Sequence, residues 1–255
     1  PGAPRAARLA RLEERLDLVE QRDALYLERV TLYNQLGQPQ KALDLLAARR
    51  FLPWEGGEDA IANQYAMAHL LLGRNALAAG QGEAALAHFE AARRFPENLG
   101  VGRWHPASDL PCRYYAGLAL EMIGNHQAAR EAFQEVARAS ADTWSLMYLP
   151  ALPYYQAMAL KKLGDEATAR QKLEELLARA SARAEGGFAT SLPNFLPFND
   201  DAEKQVRIEC TYLIGLAHLG LGQPAQARRA FEQVLALDIN HLEAQAEFQV
   251  LKGQR

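Results

Sequence analysis

Apolar residues recur along this chain at helical spacing, and the stripes stop at glycine. RYYAGLALEMIG (113–124), PYYQAMALKKLG (153–164) and CTYLIGLAHLGLG (210–222) each show an apolar face of period 3.6 that closes on a Gly. Glycine there accepts the left-handed backbone that ends a helix. Five positions share the pattern: Gly37, Gly80, Gly124, Gly164 and Gly222. Five residues after each stands Ala (Ala42, Ala85, Ala129, Ala169, Ala227), and nine after stands a large apolar residue (Leu46, Phe89, Phe133, Leu173, Phe231). Seven before each is a smaller residue: Val30, Gly73, Gly117, Ala157 and Gly215. Any one match is cheap in an Ala-rich chain; the joint recurrence is not.

Physically, the pattern describes a helix–turn–helix hairpin. The small residue on the first helix lets the second approach, Ala reciprocates, and the large residue is expected to fill the gap between successive hairpins. Hairpins are predicted over about 20–50, 59–95, 110–139, 150–180 and 201–239. Terminal helices follow from Leu9, Leu12, Leu16 and Val19 (4–19) and from Leu242, Ala246 and Phe248 (241–251). Asn240 with Glu243 three residues on reads as a capping box for the last helix, and His241 as a further capping residue. One hairpin cannot bury its stripe alone, so the units are expected to stack into an all-α superhelical solenoid, a single domain over 1–255.

The small–Gly–Ala–aromatic spacing over roughly residues 20–240 resembles the tetratricopeptide repeat. That resemblance implies a protein-binding scaffold whose first helices line a concave groove. Leu70, Arg74, Tyr114, Tyr154, Met158 and Tyr212 are the groove candidates. The face is apolar and aromatic, with Arg74 and Lys161 as scattered charges, and suits an amphipathic helix or an extended hydrophobic segment. It lacks the Lys and Asn set with which chaperone-binding members of that family clamp a C-terminal carboxylate.

Against a repeat of about 34 residues, the turn glycines stand 43, 44, 40 and 58 apart. The surplus falls between hairpins, in FLPWEGGED (51–59), FPENLGVGRWHPASDLP (95–111), ASADTWSLMYLPALP (139–153) and ASARAEGGFATSLPNFLPFNDD (180–201). All three tryptophans lie in these segments, as do eight of the twelve prolines. Proline lowers the entropy lost on ordering a loop, so ordered segments on a common edge are expected. Two readings compete: the segments fold back over the hairpin ends, or they dock a partner. The candidate binding residues of that edge are Trp54, Glu55, Glu58, Asn98, Trp104, His105, Trp144, Phe195 and Asp200. Trp anchors are typical of binding hot spots, and acids beside an indole suit sugar hydroxyls. The same acids also suit helix starts near Asp59 and, with Asn199, before the fifth hairpin.

RRFLPWEGGED, FPENLGVGR, FATSLPNFLPFNDD and DINH together resemble the repeat region of a bacterial family in which a β-sandwich domain of unknown function precedes tetratricopeptide repeats. The resemblance implies a C-terminal portion of a larger bacterial protein in a carbohydrate-related context, and it carries no catalytic residues. Consistent with that expectation, the chain opens on Pro1 rather than Met. The alternative function it raises is a carbohydrate-binding or glycoside-hydrolase-associated domain.

Composition narrows the classes further. Twenty-eight basic and 31 acidic residues leave a net charge of −3 without a basic block, against a nucleic-acid partner. No apolar run reaches membrane length and no signal peptide is visible, so we expect a cytoplasmic protein without a membrane partner. Cys112 and Cys210 each lie twelve residues before a turn glycine with a whole hairpin between them, too far apart for a disulfide. The six histidines are dispersed; His88, His126 and His218 read as surface or packing residues, and only His105 as a site candidate. HExxH, GxSxG and phosphate-loop patterns are missing. Paired carboxylates among Glu55, Glu58, Asp200 and Asp201 are the one arrangement that could hydrolyse a glycoside. The expectation is a non-enzyme that binds a protein or an adjacent domain and needs no cofactor or metal.

Overall fold

The structure is a computed structural model that describes residues 3–52, 58–102, 106–185 and 202–253. Among these residues there are fourteen α-helices, two short 3-10 turns and no strand. The fold is an all-α helical repeat. The helices are α1 (Arg5–Glu13), α2 (Leu16–Val19), α3 (Asp23–Gln35), α4 (Pro39–Ala48), α5 (Glu58–Ala78), α6 (Gly82–Ala91), α7 (Leu110–Met122), α8 (His126–Arg138), α9 (Thr143–Tyr148), α10 (Leu152–Leu163), α11 (Glu166–Glu185), α12 (Ala202–Gly220), α13 (Pro224–Leu237) and α14 (Leu242–Gly253). They fall into two compact units, Pro1–Val136 and Ala137–Arg255.

Five hairpins form as the periodicity predicts: α3–α4, α5–α6, α7–α8, α10–α11 and α12–α13. Gly37, Gly80, Gly124, Gly164 and Gly222 all take positive φ, between 71° and 89°. At each, the residue after the glycine donates its N–H to a carbonyl five residues back, for example Gln38 to Tyr33 and Asn125 to Leu120, both at 2.9 Å. This 6→1 bond closes the first helix. The second helix then starts on a proline in α4 and α13 (Pro39, Pro224), on a side-chain cap in α8 and α11, and on Gly82 with neither in α6. Asn125 Oδ1 accepts from Ala128 N at 3.3 Å, and Asp165 Oδ1 from Thr168 N at 3.1 Å.

Inside the hairpins, the five alanines and the five large residues are at most 1% exposed. A Cβ added to Gly73, Gly117 or Gly215 would sit 2.4–2.5 Å from the ring of Phe89, Phe133 or Phe231, the aromatic of the same hairpin. The glycine is thus a socket for its own hairpin's phenylalanine, which corrects the expectation that the ring only bridges successive hairpins. Bridging also occurs: Phe89 stacks on Tyr115 of the next hairpin at 5.6 Å, and Leu173 packs on Gly220. In the first unit α3 packs on α5 and α5 on α7; in the second, α10 packs on α12. Within each unit, first helices of successive hairpins therefore lie against each other, as stacking requires.

The ends differ in detail from expectation. The first terminal helix is broken at Arg15 (φ −131°, ψ 45°) into α1 and α2, which lets both Leu9 and Val19 reach the core. At the other end the cap of α14 is His241, whose Nδ1 accepts from Ala244 N at 3.3 Å, one residue beyond the anticipated Asn240. His241 also lies 3.3 Å from Glu243 Oε2.

Candidate docking surface

The inter-repeat segments of the first unit fold back. Phe51 is 1% exposed, with its ring edge-on to Tyr26 at 5.9 Å and the Arg49 guanidinium 5.8 Å from its centre. Its N–H donates to Asn98 O at 2.8 Å. Asn98 Nδ2 in turn donates to Leu46 O and Arg49 O, each at 2.8 Å. Those carbonyls belong to the end of α4, where helical partners run out. The 3-10 turn Glu97–Leu99 holds Asn98 in place through Leu99, which is buried with Phe51 in one core cluster. Arg93 and Asp109 then bracket the second segment, Nε to Oδ2 at 3.0 Å. Of the two readings of these segments, the described residues of the first unit follow the one in which they cover hairpin ends.

In the second unit the third segment differs. Asp142 caps α9, its Oδ1 accepting from Ser145 N at 2.8 Å and its Oδ2 from Ser140 Oγ at 2.9 Å. Buried Gln156 holds the preceding strand of chain by donating to Ala139 O at 2.7 Å. On this fixed turn Trp144 is 65% exposed and Met147, one helical turn on, 58% exposed. They form an apolar surface pair on a short, capped helix. Trp54, Glu55, Trp104, His105, Phe195, Asp200 and Asp201 lie outside the described residues, as does the side chain of Glu58. Both amide hydrogens of Asn98 are committed to chain carbonyls, so its place is structural.

The groove candidates divide. Tyr114 is buried against Phe133 at 5.9 Å, and Tyr154 is buried beside Tyr155 at 5.3 Å, so neither lines an open groove. Tyr212, half-buried, sits between Phe231 at 6.0 Å and His241 at 4.7 Å. At Tyr114 and Tyr212 the position ten before the turn glycine therefore meets a ring of the partner helix. Leu70, Arg74 and Met158 are half-buried. The Arg74 guanidinium lies 5.1 Å over the ring of Tyr115, a residue that sequence reasoning passed over.

Sequence reasoning also missed a histidine pair. His69, eleven residues before Gly80, and His88, eight after it, meet across the α5–α6 hairpin with Nδ1 to Nδ1 at 3.1 Å. Tyr65 stands edge-on to His69 at 4.7 Å. Burial, and secondarily His88, lowers the His69 pKa to about 4; burial lowers that of His88 as well. Their places on the two helices of one hairpin, either side of Gly80, were the available signal. His218 binds Gln223 through Nδ1 at 2.6 Å, and His126 is exposed. Cys112 and Cys210 are free and buried; burial pushes the Cys112 thiol up to about 12. Among the described residues no group of three or more His, Cys, Asp or Glu could hold a metal, and no helix is long and apolar enough to cross a membrane.

The stacked hairpins define a helical-repeat protein. Within that class, residues 112–143, 151–181 and 209–238 match the family described as tetratricopeptide repeat. The matches coincide with the third, fourth and fifth hairpins and support the tetratricopeptide-repeat superfamily for this chain.

Proposed function

We propose that this chain is a non-catalytic scaffold that docks a protein or an adjacent domain, with Trp144 as an anchor and Met147 beside it. The observation that supports it most is the exposure of Trp144 on a helix whose backbone is fixed by the Asp142 cap and by Gln156. A large indole left in water on a rigid support suits a hot-spot anchor, because little entropy remains to be lost on binding. The repeat match points the same way, since such repeats generally mediate protein interactions. The placement in a larger bacterial protein of the sandwich-plus-repeat kind also belongs to this proposal. Nothing described favours the sugar-binding alternative, whose Trp54, Trp104 and loop acids lie outside the described residues.

The test is a photo-cross-linking residue at position 147 of the full chain. A single recurrent partner, then purified and titrated, should lose affinity by about tenfold or more with Trp144→Ala, while circular dichroism is unchanged. Undiminished binding in both Trp144→Ala and Met147→Ala would refute the assignment. Self-cross-linking, confirmed by a shift in sedimentation, would reassign the partner to a second copy.

A further inference from the structure

We propose that His69 and His88 form a two-imidazole site for a divalent d-block cation of the zinc class, built into the α5–α6 hairpin. Three observations converge on it. The first is distance. Two nitrogens bound at 2.0–2.1 Å to a tetrahedral zinc stand about 3.3 Å apart, and the two Nδ1 atoms stand at 3.1 Å. Turning each ring by about 35° redirects both Nδ1 atoms from each other onto a shared point, a rotation that the soft ring torsion of histidine permits.

The second is protonation. Burial holds both imidazoles below their ordinary pKa, so at neutral pH each is the neutral ligand form and no proton has to be displaced from an imidazolium. As a metal-free pair, they share one N–H···N bond: one Nδ1 donates, the other accepts. A cation engages both Nδ1 atoms once the donating ring has passed its Nδ1 proton, through water, to its own Nε2; both rings stay neutral.

The third is access. Both residues are half-buried, so water can complete the coordination sphere. Tyr65, edge-on to His69 and 5.9 Å from Phe95, closes one side with apolar surface and orients the ring. Ligands from both helices across the turn also make the site a clip: binding ties α5 to α6 and is coupled to the stability of that hairpin.

The site is tested on the full chain with Zn²⁺ alone as probe, by calorimetric titration at pH 7.5 and by thermal unfolding with and without the ion. One equivalent is expected to bind saturably and to raise Tm. Binding should weaken at least about tenfold in His69→Gln and in His88→Gln, with helicity retained, and stay unchanged in His126→Gln. In proton–nitrogen spectra the Nδ1 resonances of both rings should shift with added ion. Absence of saturable binding, or binding that survives both substitutions, would leave a hydrogen-bonded packing pair and overturn the proposal.

Discussion

Asn98 holds the end of helix α4 with both hydrogens of its side-chain amide while its own carbonyl accepts the N–H of Phe51. Three bonds of 2.8 Å thus tie two inter-repeat segments together, and they satisfy carbonyls that a helix end leaves without partners. Asn98→Ala removes two of them and leaves the Leu46 and Arg49 carbonyls in a half-buried place. A loss of about 1–3 kcal/mol is expected, read as a lower urea midpoint of the full chain. A change under about 0.3 kcal/mol would show that the staple contributes no net stability.

The turn glycines and the socket glycines should respond to alanine for different reasons. At Gly117 an added Cβ meets Phe133 Cε1 at 2.5 Å, an overpacking expected to cost about 1–3 kcal/mol. At Gly124 the same Cβ meets nothing within 4 Å, but φ is +79°, and the left-handed backbone costs about 1–2 kcal/mol. Trimming the ring separates the two. Combined with Phe133→Leu, Gly117→Ala should recover part of its loss, while Gly124→Ala should add to Phe133→Leu without coupling. Denaturation of the three single and two double variants decides it; equal coupling at both glycines would contradict the socket.

How far the fold was legible follows from these glycines. The five turns were readable because each depends on a local backbone need that only glycine meets cheaply, and the need recurs. The −7 and +9 positions were readable for the same reason, although their pairing within one hairpin was not. Asn98 was legible as a residue of an unusual segment, but its partners at Leu46 and Arg49 lie some fifty residues away, beyond any periodic signal. Tyr114 and Tyr154 were assigned to the groove because they share a register position; which face that position presents depends on helix rotation, and both side chains are buried, Tyr114 against Phe133 of the partner helix. The His69–His88 pair occurs in one hairpin only, so comparing repeats hid it.

Exposure of Trp144 makes a prediction opposite in kind to that for Phe51. Trp144→Ala should change stability by less than about 0.5 kcal/mol, as surface substitutions do, because 65% of the residue is already in water. Phe51→Ala removes a side chain that is 1% exposed and should cost about 3–5 kcal/mol. Parallel urea titrations test the pair. A large loss on Trp144→Ala would show that the indole packs within the fold and is not available to a partner.

Cys112 should be inert in the native chain. Burial raises its thiol from 9.0 to about 12, so almost no thiolate exists at pH 8, and Cys210 is shifted in the same direction by burial. Native protein should react negligibly with a disulfide reagent over minutes, and both thiols should react in denaturant. The sign of the linkage follows: the folded chain holds the Cys112 proton more tightly than the unfolded one. That contribution is complete below pH 9 and is lost as pH rises towards 12. Rapid native labelling of Cys112 would contradict its burial.

The Arg93–Asp109 pair closes the second inter-repeat segment at the foot of α7. Asp109 lies almost fully buried, and Arg93, itself largely covered, also reaches Glu90 at 3.5 Å and Glu135 at 3.7 Å. Removing the cation takes the Arg93 ion pair from a buried carboxylate, which is costlier than never having the pair. Arg93→Met is therefore expected to destabilise the chain by on the order of 3 kcal/mol, and adding Asp109→Asn should return part of that loss. The measurement is a double-mutant cycle by urea unfolding, with Arg113 left in place to hold Glu135 at 2.5 Å. If Asp109→Asn deepens the loss caused by Arg93→Met, Asp109 is held chiefly by other groups and the clamp does not close the segment.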